Sequence, residues 1–353
     1  MTLCRRAILF AAAAAAGWAG GAARTNAGAA PETPAQPAMR GLALPGAPAT
    51  GGVFMDYIAY DRAHHRVWVP AGNTGSVDVV ETQGDKITRI EGFPTAEFER
   101  NGTKRTVGPS SATVGEGVVY VGNRGDSSVC AVDASTLQKG ACRKLESSPD
   151  GLAYVAATKE LWVTTPRDKS ITILDVSKAG APAPKGKIGL DGAPEGYAVD
   201  DGRGRFYTNL EDKDRTLVID VRGRSVTETW LPRCGEDGPR GLAIDTARNL
   251  LMVACTGHVS VLDAGHDGRI LSSIDTGAGV DNIDYVASRQ ELFAAAGRAA
   301  KLTVARLDVQ GKLTPVASVA TAAGARNAVA TDEGVAYLTH SAEGRLLVVA
   351  PAP

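Results

Sequence analysis

Seven residues that could carry chemistry recur along the chain at similar intervals. They are 54, 40, 45, 45, 41 and 45 residues apart, and six of the seven are charged, four acidic and two basic. The residues are Asp56, Ser110, Asp150, Glu195, Arg240, Asp281 and Arg326. If the fold brings them together, the carboxylates could hold a cation or act as a general base, and the arginines could hold a developing oxyanion.

The motifs of common enzyme classes do not accompany these residues. The sequence contains no G-x-S-x-G, P-loop, G-x-G-x-x-G or H-E-x-x-H pattern. Its Cys and His residues do not have the spacing of a zinc site. Catalytic residues therefore stay unknown at this stage, no cofactor is predicted, and a divalent metal is considered only at the seven positions above.

The seven residues begin a repeated unit. One unit starts with "PEGYA" (194–198), continues with the aromatic segment "FYTNLED", and ends with the apolar segment "TLVID". Such short segments bounded by Gly, Asp and Asn are typical of strands, and no stretch shows sustained helical periodicity. A period of about 40–45 residues with several strands per unit predicts an all-β, seven-bladed β-propeller with four-stranded antiparallel blades.

In a propeller the first segment of each unit forms the innermost strand. The seven residues would then surround one mouth of the central channel, and we term them the mouth ring. Clustered charges are costly to desolvate unless they pair with one another or bind something. The mouth ring is therefore a candidate site for a ligand, and the alternative is a water-filled mouth whose charges pair with one another.

Other positions of the repeat have structural interpretations. Small residues in the first segment fit the crowded axis: Ala59, Ala153, Ala198 and Ala243. Large residues in the second segment are expected to fill the space between blades: Trp68, Tyr120, Trp162, Tyr207, Met252, Phe293 and Tyr337. Aspartates that end the third segment are expected to cap the next turn: Asp133, Asp175, Asp220, Asp263 and Asp308.

The last unit lacks a fourth strand. It ends with "RLLVVA" (345–350), whereas residues 40–48 resemble the outer strand of the fourth unit at 227–235. We expect residues 40–45 to complete the last blade, so that an N-terminal strand closes the ring and protects its edges.

The repeat resembles that of the YVTN-repeat family of seven-bladed β-propellers, in the form found in exported bacterial proteins. "PEGYAVDDGRGRFYTNLEDKDRTLVID" (194–220) follows the family's order of P-x-G-x-A, Y-V-T-N and V-x-V-I-D. "PRGLAIDTARNLLMVACTGHVSVLD" and "PDGLAYVAATKELWVTTPRDKSITILD" also match it. The resemblance covers residues 40–350 and implies the fold, but it implies no particular activity.

The N-terminus has the pattern of an export signal. Arg5 and Arg6 precede an apolar run, and Ala27-Gly28-Ala29 fits a cleavage site. We expect a signal peptide at 1–29, by the general secretory or the twin-Arg route, a flexible linker at 30–38, and the propeller at 39–351. The protein would be periplasmic or secreted and monomeric, without a membrane span. With 35 basic and 39 acidic residues left after cleavage, nucleic-acid binding is not expected.

Four cysteines remain after cleavage, and an oxidising compartment permits two disulfides. The expected blades place Cys130 and Cys142 on adjacent antiparallel strands. They also place Cys234 and Cys255 on the same face of blade five. We therefore expect the bonds Cys130–Cys142 and Cys234–Cys255.

An irregular insertion, "EGFPTAEFERNGTKRTV" (91–107), lies on the same face as the mouth ring. An insertion on one face of a repeat array often has a function. Its aromatic and basic residues could form a lid: Phe93, Phe98, Arg100, Lys104 and Arg105. The alternative is an ordinary surface loop.

Two functions fit these features. In the first, the protein is a binding or scaffold module whose mouth ring takes a small polar ligand or a protein partner. In the second, it is a hydrolase of lactones or similar esters. Asp150, Glu195 or Asp281 would then be the base or hold a metal, and Arg240 or Arg326 would stabilise the oxyanion. The lack of a mouth-ring histidine favours the first.

Overall fold

The computed structural model describes residues 37–100, 102–178 and 182–351. In these ranges the chain forms seven four-stranded antiparallel sheets and one two-stranded hairpin. This confirms the predicted seven-bladed propeller. The predicted signal peptide at 1–29 and residues 30–36 of the predicted linker lie outside the described residues. Among the described residues, none belongs to a helix with the length and hydropathy of a membrane span.

The strands follow the blades in chain order. Blade one contains β2–β5, the hairpin β6–β7 follows, and blades two to six contain β8–β11, β12–β15, β16–β19, β20–β23 and β24–β27. The bounds are β1 Ala38–Ala43, β2 Ala59–Asp61, β3 Arg66–Ala71, β4 Ser76–Glu81, β5 Ile87–Ile90, β6 Ala96–Arg100, β7 Thr103–Val107, β8 Pro109–Val114, β9 Val118–Asn123, β10 Ser128–Asp133, β11 Lys139–Lys144, β12 Leu152–Val155, β13 Glu160–Thr165, β14 Ser170–Asp175, β15 Ala183–Gly189, β16 Pro194–Asp200, β17 Arg205–Leu210, β18 Arg215–Asp220, β19 Ser225–Trp230, β20 Pro239–Asp245, β21 Leu250–Cys255, β22 His258–Asp263, β23 Arg269–Asp275, β24 Val280–Val286, β25 Glu291–Ala296, β26 Lys301–Leu307, β27 Leu313–Ala320, β28 Arg326–Ala330, β29 Ala336–His340 and β30 Arg345–Ala350. Short 3-10 helices lie at Gly72–Thr74, Pro166–Asp168 and Ser341–Glu343.

The hydrophobic core lies between the blades. Seven apolar clusters of the described residues each join the strands of two neighbouring blades. The large residues of the second strands are all buried in these clusters, as predicted: Trp68, Tyr120, Trp162, Tyr207, Met252, Phe293 and Tyr337. Ala153 and Ala198 pair in register with Trp162 and Tyr207, so a small residue at the axis stands beside a large one farther out.

The N-terminal strand closes the ring, as predicted. β1 pairs antiparallel with β30 from Ala38↔Ala350 to Ala43↔Arg345 and completes blade seven in the order β1-β30-β29-β28. The strand covers 38–43 rather than 40–45, because the turn begins after Ala43. Blade seven is therefore made from the two ends of the propeller.

Two predictions about individual side chains are also confirmed. The third-strand aspartates accept hydrogen bonds from amides of the following turn; Asp133 Oδ1, for example, accepts from Thr136 N at 2.7 Å. The disulfides are Cys130–Cys142 and Cys234–Cys255, and Cys130 lies directly opposite Cys142 in the β10–β11 ladder.

Candidate functional site

The mouth ring is positioned by irregularities at the start of the inner strands. In blades two, four, five, six and seven the ladder between the first two strands shifts register at or beside the ring residue. Asp56 and Asp150 lie just before the inner strands of blades one and three. Such bulges redirect a side chain away from the regular alternation of a strand.

Glycine follows the ring residue in several blades because the inner strands converge there. Gly196 has a φ of +66°, and a Cβ on it would lie 2.4 Å from the Arg240 carbonyl oxygen. A Cβ on Gly151 would lie 2.7 Å from the Tyr197 ring. The Gly of the P-x-G motif thus lets neighbouring blades approach closely enough to form a narrow mouth.

Two guanidinium groups cross-link the acidic residues of the mouth. Arg124, just after β9, donates to Asp56 Oδ2 at 3.0 Å and also binds Asp150. Arg326 Nη1 lies 2.9 Å from Asp281 Oδ2, and its Nη2 lies 3.8 Å from Asp56 Oδ1. Three carboxylates from blades one, three and six therefore share two guanidiniums.

Tyr57 reaches across the channel from blade one to blade four. Its hydroxyl donates to Glu195 Oε1 at 2.9 Å and accepts from the Gly196 amide at 3.2 Å. Its ring stacks on that of Tyr197 with the centroids 6.0 Å apart. The residue is almost fully buried. Tyr57 therefore forms a floor directly behind the mouth ring.

The other two ring residues are placed differently. Arg240 binds Glu211, and its Nη2 donates to the Asp237 carbonyl at 3.0 Å, so it does not pair with an acid of the ring. Ser110 is fully buried. The structure thus brings together Asp56, Asp150, Glu195, Asp281 and Arg326.

Burial raises the pKa of the acidic groups in the mouth. It is the main reason that the pKa of Asp150 rises from 3.8 to about 6, against the opposing charge of Arg124. Burial likewise holds the pKa of Glu195 well above its ordinary value of 4.5, and the charges of Asp150 and Asp281 add to this effect. The pKa of Asp281 is also raised by burial, despite the guanidinium beside it. Burial therefore disfavours the ionised forms of these three acids in the mouth.

The mouth has more negative than positive groups. Four carboxylates face two guanidiniums, Arg124 and Arg326, while Arg240 is matched by Glu211. Asp150 Oδ2 and Ser110 Oγ are buried and have no hydrogen-bond partner among the described residues. A buried polar atom without a partner is unfavourable, and such an atom calls for an explanation, such as an unseen water, ion or ligand.

The insertion after blade one is a regular hairpin that covers this side of the mouth. A stack of alternating Arg and Phe side chains joins it to the ring. Arg124 lies 5.6 Å from the centroid of the Phe54 ring, and Arg105 lies 5.3 Å from Phe54 and 5.5 Å from Phe98. Arg167 of blade three lies 4.4 Å from Phe98. These cation–π contacts connect the hairpin to the guanidinium that holds Asp56 and Asp150.

Only part of the predicted lid belongs to this cover. Phe98 and Arg105 do, whereas Phe93 packs in the apolar cluster between blades one and two, with Lys139 Nζ 5.0 Å from its ring centroid. Lys104 is exposed on β7. The side chain of Arg100 lies outside the part of the chain that is described.

Farther along the inner strands the channel is lined by both apolar and polar side chains. A cavity of about 250 Å³ is lined there by residues two to four positions after the ring residues, among them Tyr154, Tyr197, Leu242, Ile283 and Asp284. The charged mouth and this cavity are thus separate parts of the channel.

The described residues contain no group of three or more His, Cys, Asp or Glu side chains placed to hold a metal ion. The acids of the mouth contact guanidiniums, the Tyr57 phenol and the Asn327 side-chain amide. This arrangement favours recognition through hydrogen bonds and charge over metal coordination.

Sequence reasoning missed two residues that shape the site. Arg124 follows the "VYVGN" segment of blade two and lies outside the first repeat segment, so the ring pattern did not include it. Tyr57 follows a ring residue at the position where three other blades have glycine. A tyrosine in place of a glycine at the crowded axis was the feature of the sequence that could have identified Tyr57 as a special residue.

Comparison with known proteins supports the fold and leaves the family open. No family model matches the chain, and no curated protein matches it. Several solved structures are similar in fold. One is a chain of a mitotic checkpoint complex, which superposes with a TM-score of 0.71 and 14% sequence identity; the match covers 97% of this chain and 99% of that one. A streptogramin B lyase matches with a TM-score of 0.66 and 11% sequence identity, over 89% of this chain and 97% of the lyase. The virginiamycin B lyase from Staphylococcus aureus matches with a TM-score of 0.68 and 12% sequence identity, over 90% of this chain and 100% of the lyase. These identities establish similarity of fold alone, and the YVTN resemblance stays a prediction.

Proposed function

We propose that this β-propeller is an exported binding module that holds a small polar ligand, or a polar group of a protein partner, in the mouth of its channel. The observation that supports this most is the charge imbalance of the mouth, with its buried Asp150 Oδ2 lacking a partner among the described residues. A preorganised, partly desolvated set of charges is well suited to bind a complementary group.

The location and family belong to the same proposal. Two disulfides are consistent with an oxidising extracytoplasmic compartment, which agrees with the predicted signal peptide at 1–29. We infer a periplasmic or secreted monomer of the YVTN-repeat type. The propeller fold commonly serves binding and scaffolding, so the fold is compatible with this function but does not select the ligand.

The hydrolase hypothesis has one observation in its favour. A pKa of about 6 would suit Asp150 as a general base near neutral pH. Against it, the two arginines that would stabilise an oxyanion are already engaged, Arg326 by Asp281 and Arg240 by Glu211. The lyases among the similar structures share only the fold with this chain, so they do not favour the hydrolase hypothesis. Binding is therefore the better-supported function.

The test is a thermal-shift screen of amines, sugar acids, lactones and divalent metals against the exported protein. A ligand at 100 times its dissociation constant adds about 2.7 kcal/mol to the free energy of unfolding. The screen is repeated with Glu195→Gln in the mouth and with the matched control Glu146→Gln, whose side chain is 86% exposed. A hit whose shift falls in the first variant and persists in the second supports the proposal. If every hit shifts all three proteins equally, the mouth is not the site.

A further inference from the structure

We propose that the group bound in the mouth is an organic cation, a primary ammonium or a guanidinium. This inference rests on the binding function proposed above and specifies its ligand class. Three observations support it. Two carboxyls of the mouth have an oxygen without a positive partner, both carboxyls are at least partly buried, and Tyr57 and the hairpin lie next to them.

Glu195 is the carboxyl with the least positive surroundings. Among the described residues its side chain accepts its hydrogen bond from the neutral Tyr57 phenol, and no Lys or Arg lies within ion-pair distance. Its neighbours in the mouth are mostly acids, since the charges that act on it most are those of Asp150, Asp281 and Asp56. An added positive charge would therefore be stabilised here, whereas an added anion would be repelled.

Asp150 supplies a second anchor. One of its oxygens binds Arg124, but Oδ2 is buried with no partner in the described part of the chain. The side chain is 9% exposed, so bulk water compensates this atom little. A ligand N–H placed between Asp150 Oδ2 and Glu195 would satisfy both carboxyls with charge-assisted hydrogen bonds.

The remaining acids explain why the missing cation is an organic one. Asp56 and Asp281 are already occupied by the guanidiniums of Arg124 and Arg326, which leaves too few free oxygens for the six or more ligands of a hard metal ion. No metal-holding group occurs in the described residues. A primary ammonium has three N–H donors and a guanidinium has five, and both bind a carboxylate through directed N–H bonds rather than through a full coordination shell.

The enclosure limits the size of the cationic group. Tyr57 closes the channel behind the ring, and the hairpin approaches the mouth through the Arg124–Phe54–Arg105 stack. Tyr57 and this stack therefore border the place proposed for the head group. A free amine and a lysine or arginine side chain of a partner present the same chemistry to this site.

The experiment compares probes that share a butyl chain and differ in head group. Butylamine and butylguanidine carry the proposed charge, 1-butanol is neutral, and butyrate is negative. We expect the two cations to raise the melting temperature of the parent. We also expect Glu195→Gln and Asp150→Asn to weaken the affinity for butylamine by about 10- to 100-fold, which is the usual effect of losing a hydrogen bond to a charged group. The control Glu146→Gln should bind as the parent does.

The outcomes separate this inference from the binding function itself. If butyrate or 1-butanol binds in a way that needs Glu195 and the cations do not bind, the cation proposal is overturned and the binding function stands. If the cations bind equally to all variants, they bind elsewhere and the proposal fails. If no compound of the wider screen depends on Glu195, both fail. A capped Gly-Lys-Gly peptide that binds as butylamine does would assign the cation to a partner's lysine, and a peptide that does not bind would assign it to a free amine.

Discussion

Replacing Asp150 by Asn should change the pH dependence of stability in a direction opposite to that of an ordinary ion pair. The pKa of Asp150 is raised in the folded state from 3.8 to about 6, chiefly by burial. Between these values the folded protein keeps a proton that the unfolded chain has lost, so the stability conferred by that proton falls as pH rises from about 4 through about 6. Asn cannot titrate, so the variant is spared this loss.

The magnitude follows from the size of the shift. Two pKa units correspond to about 3 kcal/mol, and because Asp150 is only 6% exposed the value needs little reduction for solvent screening. Relative to the parent, Asp150→Asn should therefore gain about 3 kcal/mol between about pH 4 and about pH 8, or roughly 5 °C in melting temperature. The attraction between ionised Asp150 and Arg124 is already included in the net pKa shift, so it needs no separate correction.

The assay is thermal unfolding followed by circular dichroism at both pH values for the parent, Asp150→Asn and Asp332→Asn. Asp332 is the matched control, since it also pairs with an arginine but is 47% exposed. For the control, the difference in stability between variant and parent should be the same at both pH values. If Asp150→Asn gives none either, or loses stability relative to the parent as pH rises, the mouth is not the desolvated acidic site described above.

Three further predictions concern closure of the ring by β1, the close approach of two blades at Gly196, and the attachment of the hairpin β6–β7. Deleting 30–43 should lower the melting temperature by about 10 °C because blade seven loses β1, whereas deleting 30–36 should leave it unchanged; equal values would refute the closure. Gly196→Ala should destabilise by about 1–3 kcal/mol more than Gly204→Ala, because both have positive φ but a Cβ on Gly204 meets open space; equal losses in chemical denaturation would exclude the clash. Phe98→Ala should speed hydrogen exchange in the hairpin by about two- to fivefold with little change elsewhere, and an unchanged hairpin would mean that the cation–π stack does not hold it.

The parts of the fold that repeat were predictable from the sequence. Most units present the same order of small, large and aspartate positions, so the repeat pattern alone assigns Trp162 and Tyr207 to the core between blades, where they lie. The register of the blades then placed Cys130 opposite Cys142. Closure by the N-terminal strand followed from a missing strand, and only its bounds differed by two residues.

The parts of the site that do not repeat were harder to predict. Arg124 and Tyr57 each occur in one blade, and their roles depend on distances across the axis that no local pattern contains. The hairpin was expected as an irregular insertion, and its attachment through Arg105 and Phe98 depends on Arg167 of another blade. The ring residue Arg240 was placed in the correct element, but Glu211 draws it away from the other charges.

The central claim is that a cation binds in an acidic mouth whose buried carboxyls have raised pKa values. Charged and titratable groups surround Glu195 from every blade that contributes to the mouth: Asp56 and Tyr57, Arg124, Asp150, Glu211, Arg240, Asp281 and Arg326. Burial and neighbouring acids raise the pKa of Glu195, and the guanidiniums are already paired. An arriving ammonium should therefore lower the pKa of Glu195 and favour release of protons from the mouth.

Titration calorimetry of the parent with butylamine, in two buffers of different ionisation enthalpy at neutral pH, measures this release directly. The account predicts binding with a net release of protons, and a smaller release in Glu195→Gln. Binding with no proton release, or with proton uptake, would contradict it.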